Sequence, residues 1–572
     1  MTVDLKSVDA VSLDFDKEYI LLPYSPDNLA WAFLYSKKVL SLEENNRVFP
    51  ESKIKNSPLY KYFVKFFDYQ SFADKNVVYQ AKTILIEKKF VSKSFLNDIK
   101  NFYFDCFSDY NKFCARIHFF GNFAEELKIN DSGLFLSKLD FERLIIKNEN
   151  KELFTKTYLG HITVKPTGNS IIGPTYLRPY PNIDKLRIRN YNSIVPVEFN
   201  LFGKSFFMES LIFQEQDQTI GLCATQAVWF SIHSLSNIFR TPVLFPADIS
   251  IRAGFNKEAG RFFPNAGLTN LQIYSIFQSL DLSSVVYQPQ IIRSTRSLEQ
   301  IIYSYNKLGI PILIGYKESG SEKKNRHMVT IIGYRIDEKE SIIDKGTMPV
   351  YGSRIKRLFC HDDQEGPYQK IEIISDSTQQ SSCKLKIDFE KDNTTKQVEV
   401  TTVIIPIKNS IRIRLEHVEA SVMAFDEFHR LFLKKSKDAH RYKNYEWDIY
   451  LEKAIDYKAE IINNREQFYC SDDLLKKIAF TSFPKYIWVA RLYCYQNKSK
   501  TYLYDIIYDS SESPATSNFC IFKLFFHSYG YGNEVREFIN KEKSYLHAIA
   551  ALSSKMRFSD QHINIFNKML DL

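Results

Sequence analysis

Three residues in the middle of the chain, Cys223, His327 and Asp362, have the side-chain types of a thiol-dependent hydrolase. A cysteine attacks as its thiolate, an adjacent imidazole supplies that ionised form, and a third polar group fixes the tautomer and orientation of the imidazole. The three types follow one another along the chain in the order Cys, His, Asp. This set predicts acyl chemistry at a carbonyl carbon, provided that the fold brings the three side chains together.

The elements that must position these residues can be read from the surrounding sequence. A polar turn runs into the apolar, helically spaced segment CATQAVWFSIHSLSNIF, which places Cys223 at a helix start. The partial positive charge of a helix N-terminus favours a thiolate over a thiol. The run HMVTIIGYRI predicts a strand opened by His327, and SRIKRLFC predicts a strand followed by Asp362. We therefore expect the histidine and the acid at the ends of neighbouring strands.

The middle region resembles the papain-like cysteine peptidases, and within them the bacterial branch that removes double-glycine leader peptides from bacteriocins. The resemblance spans roughly a third of the chain and rests on the shared order of five pieces: Gly221-x-Cys223-Ala224-x-x-Ala227, GLTNLQIYSIFQSL, GIPILIGY, HMVTIIGY and FCHDD. It implies a helical half that carries the cysteine, packed against an antiparallel sheet that carries the histidine and the acid. It also implies that Cys223 is the nucleophile, that His327 protonates the leaving amine, and that Asp362, in preference to Asp363, orients His327.

The resemblance also identifies a departure at the oxyanion donor. The family places a glutamine six residues before the cysteine, and that position here is Asp217. Gln216 and Gln218 flank it, so a shift of one residue could present an amide to the developing negative charge. Both glutamines are candidates for this role, with a slight preference for Gln216.

Composition and motif searches exclude several other classes. The chain has 572 residues, a net charge of +9 and a hydrophobic fraction of 44%, values typical of a folded protein and not of a nucleic-acid-binding one. The sequence contains no HExxH, GxGxxG or GxSxG motif, and its eight cysteines are scattered. We expect no metal and no cofactor. No secretory signal or membrane-spanning run is visible, which predicts a cytoplasmic protein without a membrane span.

The chain is predicted to be an α+β protein of three regions. A mixed α/β region of unknown role covers 1–195, the papain-like domain covers 196–410, and an α+β region covers 411–572. In the third region we predict a helix from Leu415, another helix near YEWDIYLEKAIDYKAEII, and a hairpin of KYIWVARLYCY with TYLYDIIYD. No partner pattern surrounds His429, His440, His527, His547 and His562.

The functional expectation is an intracellular papain-like peptidase that hydrolyses a peptide or isopeptide bond, acting as a regulated bacterial effector. Its expected partners are a protein or peptide substrate and a regulatory protein. Two alternatives stay open. An acyltransferase or a deamidase would use the same nucleophile and base. A catalytically silent papain-like scaffold would bind proteins and would carry an ordinary, unreactive Cys223.

Overall fold

The computed structural model describes most of the chain. The described part contains both helices and strands. The described residues are 13–16, 18–41, 51–68, 80–106, 110–121, 151–167, 170–182, 187–217, 222–253, 267–289, 297–318, 326–337, 348–374, 383–389, 394–468, 470–496, 499–513, 521–527 and 529–552. Helices and antiparallel sheets together make this an α+β protein, as predicted. None of the helices in these ranges combines the length and apolar content needed to cross a bilayer.

The helices are distributed over the whole described chain. In chain order they are α1 (Pro26–Leu40), α2 (Glu51–Lys55), α3 (Pro58–Phe67), α4 (Lys93–Asp98), α5 (Lys151–Thr157), α6 (Cys223–Phe239), α7 (Pro246–Arg252), α8 (Asn270–Gln278), α9 (Leu298–Asn306), α10 (Leu415–Lys435), α11 (Ala454–Asn463), α12 (Asp472–Phe480) and α13 (Tyr529–Leu552). A π-helical turn, Ile99–Tyr103, extends α4, and two 3₁₀ turns cover Tyr351–Arg354 and Lys437–Tyr442.

The strands of the described residues form four sheets. In chain order they are β1 (Leu13–Asp16), β2 (Tyr19–Pro23), β3 (Thr83–Phe90), β4 (Cys114–Phe120), β5 (Tyr158–Val164), β6 (Tyr176–Leu177), β7 (Arg187–Asn190), β8 (Val195–Leu201), β9 (Lys204–Ser210), β10 (Leu282–Tyr287), β11 (Ile312–Glu318), β12 (Arg326–Asp337), β13 (Ile355–Asp362), β14 (Gly366–Ile374), β15 (Lys384–Phe389), β16 (Thr394–Lys408), β17 (Tyr445–Lys453), β18 (Tyr486–Gln496), β19 (Ser499–Asp509) and β20 (Ile521–Phe526).

The chain divides into two compact units, and the first contains 1–290, 309–336 and 356–406. One of its sheets is the meander β1-β2-β3-β4-β5-β6. Its largest sheet has the order β10-β16-β11-β12-β13-β14-β15, with β7 beside β12 and a further pairing of β15 with β16. The pairings of β11 with β12 and of β13 with β14 are antiparallel. Because β12 and β13 are neighbours, the sheet brings the strand that carries His327 next to the strand that ends at Asp362.

Local sequence explains how the elements around the site begin and end. The Thr269 hydroxyl accepts a hydrogen bond from the Gln272 N–H, and the Gln272 side chain accepts one from the Thr269 N–H, which forms a capping box at the start of α8. Gly309 has a φ of 93° between α9 and β11, a backbone conformation that glycine adopts most easily.

The second unit contains 291–308, 337–355 and 407–572. Its sheet has the antiparallel order β17-β18-β19-β20, and the predicted hairpin is present, with Gln496 paired to Ser499 at its turn. The predicted helix from Leu415 is α10, and its apolar residues are buried up to Phe432. The helix predicted over YEWDIYLEKAIDYKAEII is wrong in its first half, where Tyr445–Lys453 is β17. There, continuous pairing with β18 and burial of most of the side chains outweigh helix propensity.

Candidate active site

Cys223 is the first residue of α6. Leu222 precedes it in an extended conformation, with φ −83° and ψ 176°, so the helix begins at the cysteine itself. The Thr330 hydroxyl of β12 donates a hydrogen bond of 2.9 Å to the Ala227 carbonyl, which fixes the first turn of α6 against the histidine strand. The side chain of Cys223 is half-buried. A helix N-terminus, a firm attachment to the sheet and an accessible thiol therefore coincide at this residue.

His327 lies on β12 opposite Tyr316 of β11. The two rings meet edge to face, with centroids 5.4 Å apart, and the imidazole remains 13% exposed. Its Nε2 lies 3.0 Å from Asp362 Oδ1. Cys223 lies beside the same imidazole and contributes to raising its pKa. The residue types predicted to act together are thus adjacent, in the order Cys223, His327, Asp362.

The two ring nitrogens of His327 have different partners. Asp362 engages Nε2, which leaves Nδ1 as the nitrogen available to the thiol, and Gln364 Nε2 lies 3.4 Å from that Nδ1. Burial by itself would lower the pKa of His327, but the charge and hydrogen bond of Asp362, with help from Cys223, raise that pKa well above the ordinary value. The arrangement therefore favours an imidazolium, the form that stabilises a neighbouring thiolate.

Asp362 is held in its ionised form by several donors. Its Oδ1 accepts backbone N–H bonds from Gln364 at 3.0 Å and Glu365 at 3.3 Å, and Tyr316 donates to its Oδ2 at 3.5 Å. Burial opposes ionisation, but His327 and the two backbone donors lower the pKa of this carboxyl overall. Asp362 is therefore suited to orient the imidazole and to stabilise its charge.

Asp363 is a second buried carboxyl beside the same imidazole. Its Oδ1 lies 3.6 Å from His327 Nε2, and neither of its oxygens has a hydrogen-bond partner among the described residues. Burial raises the pKa of this carboxyl to about 7. Together, His327, Asp362 and Asp363 place three ligand atoms within 4.8 Å of one another, so they are the described residues best placed to hold a metal ion.

The neighbouring Cys360 and His361 do not join this group. His361 is buried, with its Nδ1 accepting from the Tyr368 N–H at 3.2 Å and its Nε2 3.3 Å from the Leu211 carbonyl. Burial lowers the pKa of His361 to about 3, so this ring stays neutral. It connects β13 to β14 and to the segment before Cys223, and it takes no part in the chemistry of His327.

Gln216 is the oxyanion candidate that reaches the site. Its backbone N–H donates to the Asp363 carbonyl at 3.2 Å, and its side-chain Oε1 accepts from Gln364 Nε2 at 3.0 Å. Asp217 is buried and accepts from Tyr103 and Lys165, so it is directed elsewhere. Gln218 lies outside the described residues.

The sequence reasoning missed Gln364, Asp363 as a contact of His327, and the anchors Lys165 and Tyr103. Gln364 had a local signal, because the turn after a strand that ends in an acid is a natural place for a polar contact. Lys165 and Tyr103 had none, since they approach from elements 52 and 114 residues away from Asp217 in sequence.

The sequence of this chain matches no protein-family model and no curated protein.

Proposed function

We propose that this protein is a papain-like cysteine peptidase that cleaves a peptide or isopeptide bond. The observation that carries the proposal is the placement of Cys223, the first residue of a helix, beside His327, whose imidazole is bound to Asp362. Each member has the neighbour that its role requires. The thiol faces an imidazole whose pKa is raised, and the imidazole is bound by a carboxylate whose pKa is lowered.

The mechanism follows from these contacts. The Cys223 thiolate attacks the carbonyl carbon, and the carbonyl oxygen becomes an oxyanion beside the Gln216 amide and the N–H groups at the start of α6. Collapse of this intermediate breaks the carbon–nitrogen bond, and His327 gives its proton to the departing amine. Neutral His327 then takes a proton from water, the resulting hydroxide attacks the thioester, and the released Cys223 thiolate regains its imidazolium partner. Asp362 orients the imidazole throughout.

An acyltransferase or a deamidase would share every step up to the thioester. In the first, an amine or alcohol replaces the attacking water; in the second, the leaving group is the ammonia of a side-chain amide. Hydrolysis is the proposal because it needs no second binding site. A polypeptide substrate and a regulatory protein partner belong to the same proposal, as does action in the cytoplasm of a bacterium.

The proposal is tested first at the nucleophile. The rate of alkylation of Cys223 by iodoacetamide is measured against pH by peptide mass spectrometry in the wild type and in His327→Ala. We expect Cys223 of the wild type to be alkylated faster than an ordinary exposed thiol, and to lose this advantage in the variant. Exposed Cys106 serves as the internal reference.

The second stage separates an enzyme from a scaffold. A peptide library is incubated with the wild type and with Cys223→Ala, and new termini are identified by mass spectrometry. Cleavage that depends on Cys223 supports hydrolysis, whereas mass gains on amines or a +1 Da change at glutamine would indicate transfer or deamidation. If Cys223 reacts no faster than Cys106 at any pH, the catalytic proposal is wrong and the scaffold alternative is favoured.

A further inference from the structure

The segment that precedes Cys223 is attached through its backbone to the connection between β5 and β6. These two strands belong to the sheet β1-β2-β3-β4-β5-β6 of the same compact unit. Thr175 and Phe213 exchange backbone hydrogen bonds of 2.8 and 2.9 Å. Two residues further on, the Glu215 N–H donates to the Ile172 carbonyl at 3.2 Å, and the Ile172 N–H donates to the Glu215 carboxylate at 3.0 Å. The chain therefore approaches the catalytic residues along a fixed path.

A buried ion pair holds the end of this path. Lys165 Nζ donates to Asp217 Oδ2 at 3.3 Å, and the side chains are 1% and 6% exposed. The Tyr103 hydroxyl donates to the same oxygen at 2.8 Å. Lys165 reaches this position because its stem crosses Gly173, where a Cβ atom would lie only 2.9 Å from Lys165 Cγ. Charged groups with so little exposure require such partners.

Gln216 and Asp217 point to opposite sides of the segment. Asp217 is directed into the Lys165–Tyr103 contact, and Gln216 is directed towards Gln364 and, through it, towards His327. Anchoring one residue fixes the backbone that carries the next. Asp217 occupies the position at which the resemblance predicts an oxyanion glutamine. Because Lys165 and Tyr103 hold the Asp217 side chain on one side, the side chain of Gln216 is the one directed towards the site.

We propose that Lys165 and Tyr103 are positioning residues, which hold Asp217 so that the Gln216 amide faces the oxyanion of the reaction. This inference rests on the proposed cysteine peptidase function. It assigns a part in catalysis to the sheet β1-β2-β3-β4-β5-β6, because Lys165 directly follows β5 and holds Asp217.

The test compares two reactions of one thiolate. With p-nitrophenyl acetate, Cys223 attacks the ester carbonyl, the oxyanion forms, and its collapse expels p-nitrophenolate and leaves an acetyl thioester. With iodoacetamide, the sulfur displaces iodide from a saturated carbon, and no oxyanion arises. The ratio of the two rates therefore measures stabilisation of the oxyanion separately from the reactivity of the thiolate.

Gln216→Ala is expected to slow acylation by roughly 10²- to 10³-fold and to leave alkylation within about twofold of the wild type. Lys165→Met and Tyr103→Phe should slow acylation at least about tenfold, again with little effect on alkylation, because Gln216 would lose its fixed orientation. Tyr103→Phe keeps the ring and removes one hydrogen bond, so it carries the test if the unpaired Asp217 prevents Lys165→Met from folding. Lys165→Met with Asp217→Asn restores a neutral pair and should recover the folded state.

The decisive comparison is made in the Gln216→Ala background, where Tyr103→Phe should cause no further loss of acylation. The matched control is Lys156→Met, which makes the same chemical change at a surface lysine that is 57% exposed, and it should change neither rate. Equal losses in both reactions, or the same loss with and without Gln216, would show a purely structural role and overturn the inference. Wild-type alkylation no faster than in His327→Ala would instead contradict the proposed function itself, and the inference with it.

Discussion

At the scale of single residues, two adjacent carboxyls beside one imidazole have opposite electrostatic properties. Asp362 has backbone donors and a lowered pKa, whereas Asp363 has no hydrogen-bond partner among the described residues and a raised pKa. Asp362 is the closer acid, with a hydrogen bond of 3.0 Å to His327, and it also accepts two backbone N–H bonds from the following turn. Hydrogen bonds to the charged form thus select which of the two acids orients the histidine.

Asp363→Asn should stabilise the protein in a pH-dependent way. Burial raises the pKa of Asp363 from 3.8 to about 7, so the folded state holds a proton that the unfolded chain has lost. The stability that this proton provides is complete below about pH 4 and falls as the pH rises towards 7. We therefore expect the variant to be more stable than the wild type by roughly 1 to 4 kcal/mol at pH 8, and by little at pH 4.

The measurement is urea-induced unfolding of both proteins at several pH values, with Asp362→Asn as the matched control. The lowered pKa of Asp362 gives the opposite sign, because its ionised form stabilises the fold above the unfolded pKa and this contribution is lost as the pH falls. The control should therefore be less stable by roughly 1 to 3 kcal/mol at pH 7. A difference for Asp363→Asn that does not change with pH would contradict the account.

A second cysteine of the chain has a similar set of neighbours in the other compact unit. Cys470 Sγ lies 3.5 Å from His527 Nδ1, and His527 Nε2 lies 3.0 Å from Asp505. The surroundings differ, however, because Arg491 and Tyr457 also donate to Asp505 and the thiol is only 6% exposed. Burial and the Asp505 charge raise the pKa of Cys470 to about 11. Cysteine, histidine and aspartate together do not suffice for a nucleophile.

Native alkylation should distinguish these two cysteines. At about pH 7, iodoacetamide is expected to label Cys223 and to leave Cys470 unlabelled until urea unfolds the chain, because a neutral, buried thiol is unreactive. Peptide mass spectrometry with and without urea gives both rates in one sample. Labelling of Cys470 in the folded protein at a rate near that of Cys223 would indicate that its network opens or ionises.

At the scale of elements, the turn between β13 and β14 determines where Asp362 lies. Gly366 pairs with Asp362 across this turn and has a φ of 130°. A Cβ atom at Gly366 would lie 2.5 Å from the Tyr62 ring, and the Tyr62 hydroxyl donates to the Pro367 carbonyl. The turn is thus fixed by a glycine-only conformation and by contact with α3.

Gly366→Ala should destabilise the protein and disturb the site together. Strain at positive φ and the contact with Tyr62 predict a loss of roughly 2 to 4 kcal/mol, and movement of Asp362 predicts slower alkylation of Cys223. Gly203→Ala is the matched control, because Gly203 has a φ of 72° but nothing within 4 Å of a Cβ. That control should lose about 1 kcal/mol and retain normal alkylation. If Cys223 is alkylated at the normal rate in Gly366→Ala, the turn does not control the position of Asp362 and the prediction is wrong.

Elements with strong local signals were predictable from the sequence, and contacts between distant elements were not. The start of α6 at Cys223 and the end of β13 at Asp362 were encoded by a polar turn before an apolar run and by a strand pattern before acidic residues. The strand Tyr445–Lys453 was mistaken for helix because it is defined by pairing with β18, a neighbour that the sequence does not identify. The Lys165 contact with Asp217 left no local signal for the same reason.

At the scale of the whole molecule, the compact units do not follow the chain as continuous segments. The second unit takes α9 and the turn Tyr351–Arg354 from the middle of the sequence and adds them to the sheet β17-β18-β19-β20. The three predicted regions, 1–195, 196–410 and 411–572, follow chain order and stay a prediction. In such a unit, a buried residue of 407–572 can have its partner in 291–308 or 337–355, far away in the sequence.

This interleaving predicts that residues 411–572 do not fold alone. Such a fragment would lack Arg354, whose Nε lies 2.8 Å from Glu446 with both side chains no more than 4% exposed. It would also lack Tyr303, which donates to Asp448 at 2.7 Å. Removing one partner of a buried ion pair destabilises by about 3 to 5 kcal/mol, a large part of a typical domain's stability.

We therefore expect no cooperative urea transition for the fragment when it is followed by circular dichroism. In the full chain, Arg354→Met should be destabilising, and Arg354→Met with Glu446→Gln should recover much of the loss, because no unpaired charge remains buried. A cooperative transition of the fragment would mean that the sheet and its helices suffice without α9 and the Tyr351–Arg354 turn. Equal destabilisation in the single and double variants would mean that Arg354 acts through packing and not through its charge.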